Sequence, residues 1–199
     1  KMMAAIQNKI GTTLIEDLPI RFTAVAADIA SEKEHWFQSG PIDQAIRASV
    51  SLPLFFTPYI VDGVQLIDGG ILNPTPIEPT LGDDTDLTIA VDLGGPMMEE
   101  LMPEVEEAKS PWQQKMDDFL ESMRFSKSKS TDQWDMLYIA DQSFNTMQNA
   151  IARIRMADNP PDYFIAIPRN KCGTLEFDRS TEMIEYGYQL AAEQLAGSL

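Results

Sequence analysis

Apolar and polar residues follow two patterns along this chain, one typical of strands and the other of helices. Short runs rich in β-branched and small apolar residues predict buried strands, whereas apolar residues that recur every three or four positions predict amphipathic helices. Strands are predicted at 19–29, 35–40, 86–95 and 162–168, with a hairpin at 59–70. Helices are predicted at 2–14, 41–52, 112–123, 137–154 and 180–196. Because strands alternate with helices, we expect an α/β fold with a mostly parallel central sheet.

Two segments differ from the rest of this pattern. Residues 86–95, "DLTIAVDLGG", are almost continuously apolar, which predicts a central strand buried on both faces. Residues 97–158 begin with an acidic stretch and continue with two helical stripes, joined by the polar linker "FSKSKSTD". We interpret these stripes as core faces; the alternative is a lid or interfacial helix over an acyl-chain site.

Composition narrows the class of partner. A chain of 199 residues is long enough for one domain, and no apolar run approaches the roughly 20 residues of a transmembrane helix. The net charge of -16 argues against a nucleic-acid partner, because phosphate binding needs a basic face. The same charge limits any membrane contact to a transient, local and hydrophobic one. The single cysteine, Cys172, excludes an internal disulfide and fits a reducing compartment.

Asp68 is the first candidate for chemistry. It ends the apolar run "VQLID" and is followed by Gly69 and Gly70. A carboxylate fixed at the end of a buried strand has the placement that a general base acting on a hydroxyl needs, and glycines let another backbone approach closely. The alternative is a turn aspartate that bonds its own backbone. The earlier pair Asp62-Gly63 is interpreted as a simple hairpin turn.

The stretch around Asp68 resembles the patatin-like phospholipase family. That family has an "A-S-x-x-x-P" element after a helix, then "F-x-P", then "D-G-G" or "D-G-A" leading into "x-N-x-P". The corresponding residues here are Ala48-Ser49 to Pro53, Phe56 to Pro58, Asp68-Gly69-Gly70 and Asn73 to Pro76. The resemblance covers roughly residues 15–95 and 160–196, and residues 97–158 read as a variable helical segment within one domain spanning 1–199.

The resemblance implies a three-layer patatin-like fold and a Ser–Asp catalytic dyad. Asp68 would be the aspartate, Gly69 and Gly70 would let the turn that carries the serine approach, and no cofactor or metal would be needed. The substrate implied is a phospholipid or lysophospholipid acyl ester. No "G-x-S-x-G" nucleophile motif occurs in the 199 residues. We therefore expect the chain to be the C-terminal portion of a patatin-like domain, with its serine outside it, in the cytoplasm or at the inner face of a membrane.

Other candidate sites are weaker. His35, the single histidine, is interpreted as a surface strand residue, and one histidine with one cysteine gives no metal cluster. The acidic "LGDDTD" at 81–86 lacks the spacing of a calcium loop and is interpreted as solvated. "TIAVDLGG" also resembles the phosphate motif of actin-like ATPases, although Pro96 follows it and it does not open the chain. Two interpretations of Arg153 and Arg155 stay open, pairing with acidic neighbours and binding of a phosphate.

A different class of function remains open at this point. The chain would be a non-catalytic interaction module if it kept the patatin-like scaffold and used its helical segment to bind a partner. A "G-x-S-x-G" motif in the protein would favour the enzyme, and its absence would favour the module.

Overall fold

A computed structural model of the protein describes residues 10–11, 13–53, 55–99, 136–173 and 176–196. Its strands are β1 (Ala24–Asp28), β2 (Lys33–Phe37), β3 (Tyr59–Val61), β4 (Val64–Asp68), β5 (Ile89–Gly95) and β6 (Tyr163–Pro168). Its helices are α1 (Ile42–Ser49), α2 (Met136–Asp158) and α3 (Ser180–Ala196). The chain divides into two compact units, Lys1–Ala90 with Ser143–Asp162, and Val91–Gln142 with Tyr163–Leu199. The mixed α/β class predicted from the sequence is confirmed.

The first unit contains a four-stranded sheet in the order β2-β1-β4-β3. All three strand pairs are antiparallel, which differs from the mostly parallel sheet expected from the sequence. Short turns account for two of these pairs, β1-β2 and β3-β4, because tight turns join antiparallel strands, whereas parallel strands need a long crossover. Asp62 and Gly63 make the predicted hairpin turn between β3 and β4, with positive φ angles of 50° and 82°.

Helix α1 packs on β1 and β4 through alanines. Ala45 and Ala48 are fully buried, as is Ala26 on β1, and Leu66 on β4 is the largest fully buried apolar side chain. Small side chains let the helix approach the sheet closely. Pro41 precedes the helix, where its missing N–H costs nothing. This packing holds α1 against the strand that ends at Asp68.

The second unit contains most of β5, which pairs with β6, and helix α3, which packs on β6. The Thr88 N–H, just before β5, donates to the Asp162 carboxylate, just before β6. At the other end the Arg169 N–H donates to the carbonyl of Gly95. The two strands therefore run in the same direction, so a parallel pairing occurs here and not in the four-stranded sheet.

Strand β5 is confirmed, but its predicted burial on both faces is wrong. Ile89, Val91 and Leu93 are 44%, 54% and 71% exposed, while Ala90 between them is buried. In the described part of the chain β5 belongs to a two-stranded sheet with β6, so it is not a central strand.

Of the two helical stripes predicted in the segment 97–158, the structure describes only the second. The stripe at 112–123 lies outside the described residues, as does most of the helix predicted at 2–14. Helix α2 is confirmed, yet its inner face differs from the predicted one. Met147 and Ile154 are 57% and 65% exposed, while Ala152 is buried and Gln148 and Arg155 are half-buried.

Candidate active site

Asp68 is the last residue of β4, and its backbone is fixed from two sides. It pairs with Ala26 across the antiparallel ladder to β1. Its N–H donates to the carbonyl of Ser51 at 3.0 Å, in the loop after α1. Ser51 is fully buried. The sequence predicted Asp68 at a strand end, and the ladder and the α1 loop explain why its backbone is held there.

The Asp68 side chain makes the hydrogen bond expected of a turn aspartate. Its Oδ1 accepts from the Gly70 N–H at 2.7 Å, and this bond caps the 3-10 turn Gly69–Ile71. No hydrogen bond among the described residues involves its Oδ2. Burial raises the pKa of Asp68 above its ordinary value of 3.8, although the Gly70 N–H acts in the opposite direction. The carboxylate is therefore oriented through Oδ1.

Gly69 and Gly70 are required by neighbours that the sequence did not identify. A Cβ on Gly69 would lie 2.3 Å from the Val25 carbonyl oxygen, so β1 approaches the turn too closely for any side chain. A Cβ on Gly70 would lie 2.7 Å from Gln148 Nε2 and 3.0 Å from Asp68 Oδ1. Because Gly69 has no side chain, the backbone of β1 can lie against it. Because Gly70 has none, the Gln148 side chain can do the same there.

Arg47 anchors the loop between α1 and β3. It donates to the Ser51 hydroxyl and, at 3.0 Å, to the Thr57 carbonyl. Its guanidinium also lies over the rings of Phe56 and Tyr59, with centroids at 6.0 and 5.6 Å. Because the carbonyl of Ser51 holds the backbone of Asp68, the "A-S-x-x-x-P" and "F-x-P" elements form one support for the D-G-G turn.

Asn73 links the same turn to two carboxylates. Its N–H donates to the carbonyl of Gly69 at 2.9 Å, and its Nδ2 donates to Glu34 at 3.2 Å and to Glu78 at 2.8 Å. Asn73 is 2% exposed. Its buried Oδ1 has no partner in the described part of the chain. The asparagine of "x-N-x-P" therefore fixes the chain where it leaves the D-G-G turn.

Helix α2 contributes two side chains that the sequence did not assign to the site. Gln148 lies against Gly70, and Arg155 donates to Glu34, Glu78 and the carbonyl of Leu72. Of the two interpretations left open for Arg155, the structure shows the pairing with acidic neighbours. The available signal was weak, because both residues are polar and lie outside the apolar stripe that predicted the helix.

The remaining candidates stay apart from Asp68. His35 and Asp68 both pair with Ala26, on opposite sides of β1, so two strand spacings of about 4.8 Å separate their backbones. The His35 ring lies 4.5 Å from the Phe37 ring, tilted by 54°. Asp83 pairs with Arg21. In the described ranges no three His, Cys, Asp or Glu residues form a metal-binding group, and no helix is long and apolar enough to span a bilayer.

The sequence of the chain is similar to those of known proteins. The family model described as patatin-like phospholipase matches residues 2–81, which include the whole of the D-G-G turn and its support. An NTE family protein of Mycobacterium bovis, described as uncharacterized, is 32% identical over 98% of this chain and 68% of its own length. Lysophospholipase NTE1 of Pyricularia oryzae is 26% identical over 93% of this chain and 12% of its own length.

The match to the mycobacterial relative extends over nearly all of the chain, including the segment 97–158 that showed no recognisable motif. The family model covers α1, the hairpin and Asp68. A fold of the α/β class, the D-G-G turn at a strand end and these similarities lead to one conclusion. The chain belongs to the patatin-like phospholipase family, a family of lipid hydrolases.

Proposed function

We propose that the protein hydrolyses acyl esters of phospholipids or lysophospholipids through a Ser–Asp dyad in which Asp68 is the general base. The observation that carries this proposal is the state of Asp68. Its Oδ1 is held by Gly70, and burial raises its pKa. A carboxylate with a raised pKa is a stronger base near neutral pH than an ordinary aspartate, and a fixed orientation lets it accept a proton in one direction.

The chemistry assigned to Asp68 is a proton transfer in each half of the reaction. The serine hydroxyl attacks the ester carbonyl and gives its proton to the carboxylate, which then passes that proton to the departing alcohol. A water molecule attacks the acyl-serine in the second half, and Asp68 again takes and returns the proton. The serine lies outside this chain in our proposal, since no "G-x-S-x-G" occurs in it.

The lysophospholipase name of the fungal relative supports the choice of lipid ester. A net charge of -16 is consistent with a neutral or zwitterionic lipid, and with membrane contact that is hydrophobic and transient.

Asp68→Asn in the full-length protein tests the proposal. We expect lysophospholipid hydrolysis, measured as fatty-acid release, to fall about 10²- to 10⁴-fold, the usual contribution of a general base. Asp62→Asn is the matched control, because Asp62 is an exposed turn residue with positive φ that asparagine also adopts. It should keep full activity. If Asp68→Asn is as active as wild type, Asp68 is only a turn residue. If the wild-type protein is itself inactive, the interaction module is favoured.

Thermal unfolding separates chemistry from folding in this experiment. Because burial raises the pKa of Asp68, the folded protein binds this proton more tightly than the unfolded chain does. The stability gained from the proton is complete below pH 3.8, and it is lost as pH rises through the higher pKa of the folded state. At pH 7 the ionised carboxylate therefore destabilises the fold, and Asp68→Asn should leave Tm unchanged or raise it.

A further inference from the structure

We propose that Arg155, on helix α2, is a positioning residue for Asp68, holding the D-G-G turn through Leu72 and Asn73. This inference rests on the proposed role of Asp68 as the base. The contacts of Arg155 in the described part of the chain do not include Asp68, so its contribution is indirect, through the Leu72 carbonyl and through side-chain contacts that lead to Asn73.

The contacts of Arg155 converge on the exit of the turn. Its Nη1 donates to Glu78 Oε1 at 2.9 Å, and its Nη2 donates to Glu34 Oε1 at 2.7 Å. Nη2 also donates to the Leu72 carbonyl at 3.3 Å. One planar guanidinium thus joins Glu34 on β2, Glu78 and the Leu72 carbonyl just after the turn. An arginine can make these contacts together because its N–H donors point in several fixed directions, whereas a lysine ammonium is a single point charge.

The second carboxylate oxygens complete the connection. Glu34 Oε2 and Glu78 Oε2 both accept from Asn73 Nδ2, while the Asn73 N–H and the Leu72 N–H both donate to the Gly69 carbonyl. Two glutamates therefore bind Arg155 by one oxygen and Asn73 by the other. A displacement of Arg155 is transmitted through Asn73 to Gly69, the residue bonded directly to Asp68.

Burial makes this arrangement depend on the charge of Arg155. The Glu34 and Glu78 side chains are 14% and 18% exposed, and that of Arg155 is 34% exposed. Hydrogen bonding to Glu78 raises the pKa of Arg155. Burial alone would raise the pKa of Glu78, but hydrogen bonds from Asn73 and Arg155 outweigh it and lower that pKa. Without the guanidinium, two largely buried carboxylates would lie together uncompensated and would separate.

Helix α2 contacts the turn through a second side chain on the same face as Arg155. Gln148 lies seven residues before Arg155, two helical turns away on the same face, and its Nε2 is 2.7 Å from the position of a Cβ on Gly70. Ala152 lies between them and is 1% exposed. Helix α2 therefore meets the turn at Gly70 and again at Leu72. Arg153 on the same helix is exposed, which makes it a matched control for loss of an arginine.

The test measures how fast a fluorophosphonate probe reacts with the full-length protein. In this reaction the serine oxygen bonds to phosphorus, fluoride leaves, and the serine proton passes to the base. The final extent of labelling counts the folded sites, whereas the rate per site reports on the base. We expect Arg155→Met to lower the rate at least about tenfold with the extent unchanged, because misplacement of about 1 Å can cost more than that. Arg155→Lys should be intermediate, and Arg153→Met should match wild type.

Each outcome decides the inference. Equal rates per site for Arg155→Met and Arg153→Met would overturn it, whatever the extent of labelling. If Arg155→Met does not fold, Glu78→Gln decides, because it keeps the shape and weakens the ion pair. A Glu78→Gln rate equal to wild type would then contradict the inference. Asp68→Asn separates the two proposals. If Asp68→Asn is labelled at the wild-type rate, the proposed role of Asp68 is wrong. If Asp68→Asn is unreactive while Arg155→Met is labelled at the wild-type rate, only the proposed role of Arg155 is wrong.

Discussion

At the scale of single residues, Gly69 and Gly70 are adjacent but serve different neighbours. The backbone of β1 presses on Gly69, since a Cβ there would lie 2.3 Å from the Val25 carbonyl oxygen. Gly70 faces the flexible end of Gln148 and the Asp68 carboxylate. A rigid neighbour cannot yield to an added methyl group, whereas a side-chain end can rotate. The first glycine therefore maintains the fold, and the second maintains the position of Asp68.

Alanine at the two positions should separate stability from activity. We expect Gly69→Ala to cost about 3 kcal/mol through overpacking, which lowers Tm by about 6–12 °C in a chain of this size. Gly70→Ala should cost about 1 kcal/mol or less, yet lower lysophospholipid hydrolysis about tenfold by displacing the carboxylate. Gly82→Ala, exposed and with open space around its Cβ position, is the control. Matching Tm values for Gly69→Ala and Gly82→Ala would contradict this account.

The sequence predicted Asp68 and its two glycines by resemblance to a family motif. The Asx-type bond and the catalytic interpretation were posed as alternatives, yet the structure shows the bond while also burying the carboxylate. One oxygen satisfies the turn, and in our proposal the other accepts the serine proton, so a turn role and a base role are compatible. Local sequence could not show this, because burial of Asp68 depends on how the rest of the unit packs around the turn.

At the scale of elements, periodicity located most strands and helices well. The hairpin, α1, β5, β6 and α3 agree with prediction, because turn residues and apolar spacing act locally. Strand β2 begins at Lys33, two residues before the predicted His35, which is the usual uncertainty of an element boundary. Burial was predicted less well. Continuous apolarity in β5 indicated two covered faces, but coverage depends on neighbouring elements that a single strand does not encode.

Helix α2 shows why polar residues on an inner face escape sequence analysis. The apolar stripe predicted that Met147 and Ile154 face the core, but both are exposed. The helix instead directs Ala152 inward, flanked by Gln148 and Arg155. Such a face forms where polar partners already exist, here Glu34 and Glu78. These partners come from distant parts of the chain, so the spacing of residues within the helix could not predict them.

At the scale of the whole molecule, the proposed reaction needs a nucleophile that this chain does not contain in a recognisable motif. The proposed base and its support lie within residues 24–78 and 148–155, while no "G-x-S-x-G" occurs in the 199 residues. A base without a nucleophile has no activity towards esters. The proposed active site is therefore complete only in a molecule that also carries the serine.

The isolated 199-residue chain should accordingly be inactive. We expect no hydrolysis of a short p-nitrophenyl ester above background, measured as p-nitrophenolate release, in a preparation whose folded state is verified by circular dichroism. The full-length protein under the same conditions serves as the positive control. Turnover by the isolated chain that depends on a serine within it would show that the nucleophile has been assigned to the wrong place.

The most direct test of the central claim is to locate the serine that a fluorophosphonate labels in the full-length protein and to ask whether labelling needs Asp68. Peptide mapping by mass spectrometry gives the modified residue, and the time course gives the rate. We predict one labelled serine in a "G-x-S-x-G" motif outside the 199 residues, with labelling lost in Asp68→Asn and retained in Asp62→Asn. Labelling of a serine within the chain, or undiminished labelling of Asp68→Asn, would contradict the assignment of Asp68 as the base.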